Sequence, residues 1–219
     1  MPNTQYEERL GTDRMLPLVL RMAMPSVAAQ IVNLLYNLVD RIYIGHIPGI
    51  GTDALAGIGV TGAIIILISA FSAIVSGGGA PLAAIALGQG DRKRAGQTLG
   101  NGFVLLLIFT LLTTTLTYLF MEPLLMFTGA SENTVGYAKD YLSIYLLGTL
   151  FVETSVGLNT FINTQGRPAI AMYSVLIGAV LNIILDPIFI FVMGMGVRGA
   201  ALATVISQAC SALWIVSFL

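Results

Sequence analysis

The sequence predicts an all-α integral membrane protein with six transmembrane helices. Three observations carry that expectation. Hydrophobic residues make up 56% of the 219-residue chain and charged residues only 10%, against roughly 25% charged in an average soluble domain. The mean hydropathy is +0.88, and a soluble fold this poor in charge could not cover its own surface. The apolar residues also fall into six runs of spanning length, about 20 residues being needed to cross a bilayer.

The first run covers about residues 16–44, with Pro25 near one end. It follows a polar segment, residues 1–15, that carries Glu7, Glu8 and Asp13 and lacks the apolar stretch and small-residue cleavage site of a secretory signal. The turn Gly45-His46-Ile47-Pro48-Gly49-Ile50-Gly51 is rich in helix breakers. The second run, about 53–87, is too long for one crossing, so one end is expected to protrude into water. Gly88-Gln89-Gly90-Asp91-Arg92-Lys93-Arg94 breaks it from the third, about 95–120. Glu122 to Thr134 read as a loop before the fourth run, about 135–163. Gln165-Gly166-Arg167-Pro168 turn the chain into the fifth, about 168–193. Gly194 to Gly199 turn again, and the sixth run, about 200–219, is still apolar at Leu219. We therefore read residues 16–219 as a six-span fragment, half of a longer protein.

Lys and Arg favour the cytoplasmic side of a membrane. With the N-terminus inside, Arg9, Arg14, Arg21, Arg92, Lys93, Arg94 and Arg167 are cytoplasmic, and Arg41, Lys139 and Arg198 lie at the outer boundary. A net charge of −1 offers no broad basic face to nucleic acid. One cysteine, Cys210, makes no intrachain disulfide or thiolate cluster, and one histidine, His46, leaves a His-based metal site or catalytic dyad with little support. Ser76-Gly77-Gly78-Gly79-Ala80-Pro81 lies inside the second span and lacks the lysine of a phosphate loop, so close helix packing or a hinge accounts for it better.

Three acids, Asp40, Glu153 and Asp186, fall inside spans. Each is costly at membrane depth unless it faces a cavity or a partner. Residues four apart share a helix face. Asn33, Tyr36, Asn37 and Asp40 form a polar stripe on the first span, and Ser174, Gly178, Asn182 and Asp186 form one on the fifth. Thr204, Gln208 and Ser211 form a third on the sixth. Interhelical hydrogen bonding explains single serines on such faces but not two carboxylates, and a shared cavity is the simplest arrangement. At 1.5 Å per residue, Asp40 and Thr204 lie roughly 7 Å and Asp186 roughly 10 Å from the outer span ends. Glu153 is deeper, roughly 25 Å in, and Asn159 deeper still. Pro187, directly after Asp186, removes a backbone donor and frees the Ile183 carbonyl, so a kink is expected there.

Asn37-Leu38-Val39-Asp40-Arg41-Ile42-Tyr43-Ile44-Gly45-His46, followed by Ala54-Leu55-Ala56-Gly57-Ile58-Gly59, resembles the first-span signature of multidrug and toxic compound extrusion (MATE) transporters. Ala86-Leu87-Gly88-Gln89-Gly90-Asp91, Gln165-Gly166-Arg167-Pro168 and Asn182-Ile183-Ile184-Leu185-Asp186-Pro187 resemble later motifs of that family in its order and spacing. The resemblance implies that residues 16–219 are the N-terminal six-helix lobe of a twelve-helix, two-lobe transporter in a bacterial plasma membrane, with the C-terminal lobe absent. It implies an antiporter that exports cationic or amphipathic drugs as H⁺ or Na⁺ enters, with no cofactor beyond that coupling ion. It places the ion, Na⁺ included, at Asp40, Asn182, Asp186 and Thr204, with Tyr36 and Asn159 close by. Glu153 is a candidate third acid of this set on a separate helix, not mapped onto the family's motifs, and its role stays open. The alternatives are a lipid-linked precursor flippase of the same superfamily, which calls for cationic residues at membrane depth, and a non-transport scaffold or channel subunit. An intramembrane serine protease would need a histidine near Ser76, and His46 sits at a boundary.

Overall fold

The computed structural model describes residues 15–219, without the side chains of Met15, Pro17, Leu18, Arg21 and Met22. Residues 1–14, with Arg9 and Arg14, lie outside the described residues, as does the side chain of Arg21. The described chain is helical throughout: α1 (Met15–Gly45), α2 (Gly51–Gly88), α3 (Arg92–Leu119), α4 (Met121–Phe127), α5 (Val135–Thr164), α6 (Pro168–Pro187), a π-helical turn (Ile188–Val192) and α7 (Val197–Phe218).

Among the described residues, five helical stretches are both long and apolar enough to cross a membrane: α2, α3, α5, α6 with its π-helical turn, and α7. The sixth expected span, α1, is 31 residues long. Its first turns hold the side chains that lie outside the described residues, and Gln30, Asn33, Asn37 and Asp40 place a polar stripe farther along it. α2 runs unbroken for 38 residues, a length of roughly 57 Å at 1.5 Å per residue that exceeds the hydrocarbon core. Leu34, Ile66, Leu111, Val180 and Leu213 are exposed along the spans, as lipid-facing residues must be in a fold whose outer solvent is hydrocarbon.

Helix ends follow local chemistry. Asp91 caps α3 by accepting a hydrogen bond from the Arg94 N–H at 2.9 Å, and Pro168 opens α6 at its first turn, where no backbone donor is needed. Gly90 and Gly166 end α2 and α5 with φ of +76° and +74°, a conformation glycine adopts without a Cβ clash.

Two local expectations change. Part of the segment expected as a loop, Glu122 to Thr134, is the short helix α4, whose Leu125 is fully buried in a cluster with Ile64, Ile68, Leu142 and Leu146. Lys139 donates to Glu122 at 2.6 Å and ties α4 to α5. The expected kink at Pro187 takes the form of a π-helical turn, in which the Met193 N–H reaches back to the Ile188 carbonyl at 2.8 Å. In the glycine run of α2, close packing holds at Gly79, where a Cβ would lie 2.8 Å from the Phe161 ring, while Gly77 and Gly78 face open space.

α5 is the core helix. Two-thirds (67%) of its most apolar stretch is buried, against a third or less for the other spans. It packs on α2, α3, α6 and α7, while α1 leans chiefly on α6. The π-helical turn presses on the start of α7: a Cβ at Gly199 would come within 2.7 Å of the Phe189 backbone. Backbone cannot yield as a flexible side chain does, so Gly199→Ala should destabilise the protein by about 1–3 kcal/mol, read as a lowered thermal midpoint in detergent.

Candidate functional site

The polar stripes of α1, α6 and α7 converge. A cavity of about 500 Å³ is lined by Gln30, Asn33, Tyr36 and Asn37 of α1, by Val175 and Gly178 of α6, and by Gln208 and Ser211 of α7. α2 adds Ile65 and Ser69, and α5 adds Tyr145, Ser155, Asn159 and Asn163. None of its described lining residues carries a formal charge.

The acid pair lies beyond this cavity, Asp40 one helical turn past its lining on α1 and Asp186 two turns past it on α6. Tyr36, Gly178 and Gln208 line the cavity, and four residues along each helix come Asp40, Asn182 and Thr204, on the same faces. The carboxyl groups of Asp40 and Asp186 meet side chain to side chain. Asp186 is fully buried, Asn182 nearly so, and Asp40 is 8% exposed. The Asn182 amide donates to Asp186 Oδ1 at 3.2 Å and reaches Thr204 Oγ1 at 3.4 Å. Asp40 Oδ1, Asp186 Oδ2 and Asn182 Oδ1 are buried oxygens without a hydrogen-bond partner. Ser207 Oγ, near the next turn of α7, is another. Two touching carboxylates cannot both stay charged in a low-dielectric site unless a proton or a cation joins them. Hard cations favour carboxylate, amide and hydroxyl oxygens, and this donor set has that chemistry. Na⁺ or H⁺ here is cargo of the reaction, not a resident group.

The side of the pair away from the cavity is closed by apolar packing. Ile44, Ile190 and Ala200 each lie about one turn from Asp40, Asp186 and Thr204, and they pack with Ile47, Ile58, Tyr141 and Val197 in one buried cluster. Farther out, Arg198 donates to Asp140 at 2.8 Å and ties the start of α7 to α5.

The other expected residues are distributed. Tyr36 lines the cavity and touches Asn37 and Gln208. Asn159 is not part of the acid cluster: its amide donates to the Ala171 carbonyl at 3.0 Å and to Ser174 Oγ at 2.7 Å, joining α5 to α6 at the cavity wall. Glu153 is held separately against α2, where Ser69 donates to Oε1 at 2.8 Å and Ser72 donates to Oε2. His46 is exposed, with its ring Nδ1 2.7 Å from the Ile42 carbonyl.

Several residues escaped the sequence reading. Tyr141 and Tyr145 stack with ring centroids 6.0 Å apart. Tyr141 contacts Thr204 and feels the charge of Asp40, and Tyr145 feels Glu153. Tyr141, Tyr145, Thr149 and Glu153 recur every fourth residue, the same signal that marked the stripes on the other helices. Ser155 and Ser211 hydrogen-bond at 2.9 Å, and Ser211 also donates to the Ser174 carbonyl at 2.9 Å, so α5, α6 and α7 are pinned behind the cavity.

Comparison with known proteins decides the family. The MatE family profile matches residues 25–188. The chain belongs to the MatE family. It is 28% identical to the multidrug export protein MepA of Staphylococcus haemolyticus over 91% of this chain and 44% of that protein. It is 30% identical to a FAD transporter of Shewanella oneidensis over 86% of this chain and 42% of that one. A crystal structure of MATE in the bent conformation superposes with a TM-score of 0.89 at 29% identity, covering 99% of this chain and 48% of its own. The chain thus spans about half the length of the curated relatives it matches, as one lobe of a two-lobe MATE transporter does, and it is a multi-pass membrane protein.

In this MATE lobe the serine bridge is a structural element distinct from the acid pair. Ser211→Ala strands the buried Ser155 hydroxyl and is expected to cost about 1–3 kcal/mol. A thermal melt of the purified protein checks this.

Proposed function

We propose that this chain is the N-terminal lobe of a cation-coupled antiporter that exports cationic or amphipathic organic compounds. The observation that carries the proposal is the buried contact between Asp40 and Asp186, with unpartnered oxygens around it, one to two turns beyond a polar cavity. In this reading the pair is the coupling site. A proton, or Na⁺ held by Asp40, Asn182, Asp186 and Thr204, neutralises it and lets α1 close on α6. When the ion leaves, two carboxylates repel across the α1–α6 contact, and the helices separate at the cavity wall. Differential stability of these two packings converts an ion gradient into an opening of the cavity. Pro187 and the π-helical turn next to Asp186 supply a place where α6 bends without breaking a regular ladder.

The second lobe completes the cavity, which in this chain is walled by one set of helices. The protein sits in the bacterial plasma membrane with its N-terminus cytoplasmic, in accordance with Arg92, Lys93, Arg94 and Arg167 on one side. The driving ion is a substrate, and no organic cofactor takes part. The FAD transporter relative raises an anionic cargo as a second reading, and a lipid-linked pyrophosphate carries the same charge. Both call for cationic side chains in the cavity, and the lining has none among the described residues.

Asp40→Asn and Asp186→Asn in the full-length transporter should each abolish ion-driven efflux of a cationic dye from cells or proteoliposomes while the protein still reaches the membrane. Normal efflux by either variant would defeat the coupling role. Imposing proton and sodium gradients separately identifies the ion. If Na⁺ is that ion, NaCl should raise the melting temperature of the wild type above that in KCl, by binding only the folded state, and leave Asp40→Asn unchanged.

A further inference from the structure

The acid pair leaves Glu153 without a task. Its side chain is buried, 1% exposed, at the middle of the core helix. Its polar partners are two serine hydroxyls of α2, one on each carboxylate oxygen. The charged residues that pair at the ends of α5 do so elsewhere, Lys139 with Glu122 and Arg198 with Asp140. Two neutral donors solvate a carboxylate but do not cancel its charge, so Glu153 is neutralised either by a proton or by a cation, and no cationic side chain pairs with it among the described residues.

The route to that partner runs through Ser69. Ser69 is half-buried and lines the cavity, whereas Ser72 is fully buried behind it. By donating its proton to Oε1, Ser69 leaves its own lone pairs for the cavity, and the bond to a carboxylate makes that oxygen more negative. Val152, Ser155 and Val156, which flank Glu153 on α5, line the same cavity, as do the rings of Tyr145 and Tyr36. Tyr145, two turns before Glu153 on α5, lies within the range of its charge. The surroundings are otherwise uncharged: α3 turns Leu106 toward the next turn at Gly157, and α7 presents Val205 and Ser211 to the flanking turns. An aromatic face beside a screened carboxylate attracts a weakly hydrated organic cation through the ring quadrupole and the carboxylate charge together.

We propose that Glu153, presented through Ser69 and flanked by Tyr145, is the recognition site for the positive charge of an organic cation in this cavity, separate from the Asp40–Asp186 pair. It rests on the export reading above for the class of substrate but not for its coupling. The division of labour is spatial: the acid pair holds the small ion beyond the cavity, and Glu153 holds the charge of the large one at the cavity wall.

Equilibrium binding to the purified full-length transporter, with no ion gradient, tests this independently of efflux. The probes are tetraphenylphosphonium and the uncharged triphenylphosphine oxide, which has an oxygen in place of one of the four phenyl rings. Glu153→Gln should weaken tetraphenylphosphonium binding by about tenfold or more and leave triphenylphosphine oxide within about twofold. Glu153→Asp, which keeps the charge, should retain most of the cation affinity. Ser69→Val keeps the carboxyl, walls it off from the cavity and should mimic Glu153→Gln, which covers the case in which Glu153→Gln does not fold. Unchanged cation binding, or equal losses for both probes, would overturn the proposal. Loss of coupling in Asp40→Asn with this charge preference intact would leave it standing, and failure of the Asp40 and Asp186 tests alone would not touch it.

Discussion

Two carboxyl groups in contact at membrane depth are the constraint on which the rest of this lobe depends. Asp40 and Asp186 face each other from α1 and α6, and among the described residues neither forms a salt bridge. Lipid cannot solvate either group, so every surrounding element must contribute to holding or screening them. Asn182 and Thr204 supply the nearest polar atoms, and they fix how α6 meets α7. The apolar cluster around Ile44, Ile190 and Tyr141 seals one side, and the polar cavity lies on the other.

The same economy of charge extends to the cavity. Its described lining is uncharged, yet carboxyls stand just behind it in two places. One is the acid pair, reached past Tyr36 and Gln208. The other is Glu153, reached past Ser69. A stacked pair of tyrosines on α5 lies between them, Tyr141 beside Thr204 and Tyr145 within the field of Glu153. Because α5 packs against α2, α3, α4, α6 and α7, a change at either carboxyl is felt through a rigid, well-buried element, not through a loop.

Much of this was legible along the chain. The spans end within a few residues of where apolar runs meet Gly, Pro or charge, because lipid solvent imposes a length that soluble folds do not. Asp40, Asn182, Asp186 and Thr204 were legible as a group because four-residue spacing and depth from the span ends both follow from helix geometry alone. Their contacts agree with that placement. Asn159 was a different matter: its amide is equally polar, but it satisfies the Ala171 carbonyl and Ser174 instead of joining the acids. α4 was missed because seven residues between two spans carry too little periodicity to separate a helix from a loop.

What the sequence by itself determined is therefore the class of the protein, the approximate ends of its long helices and the acids that must be buried, since each follows from composition and helical rise. Only the tertiary structure decided which acids meet. It put Asp186 against Asp40 and gave Glu153 to Ser69 and Ser72, because the partner of a buried carboxyl depends on which helix lies beside it. It also decided that α5 is the core helix and that Pro187 leads into a π-helical turn instead of a break. Hydropathy reports the solvent a helix sees; it does not report the neighbour.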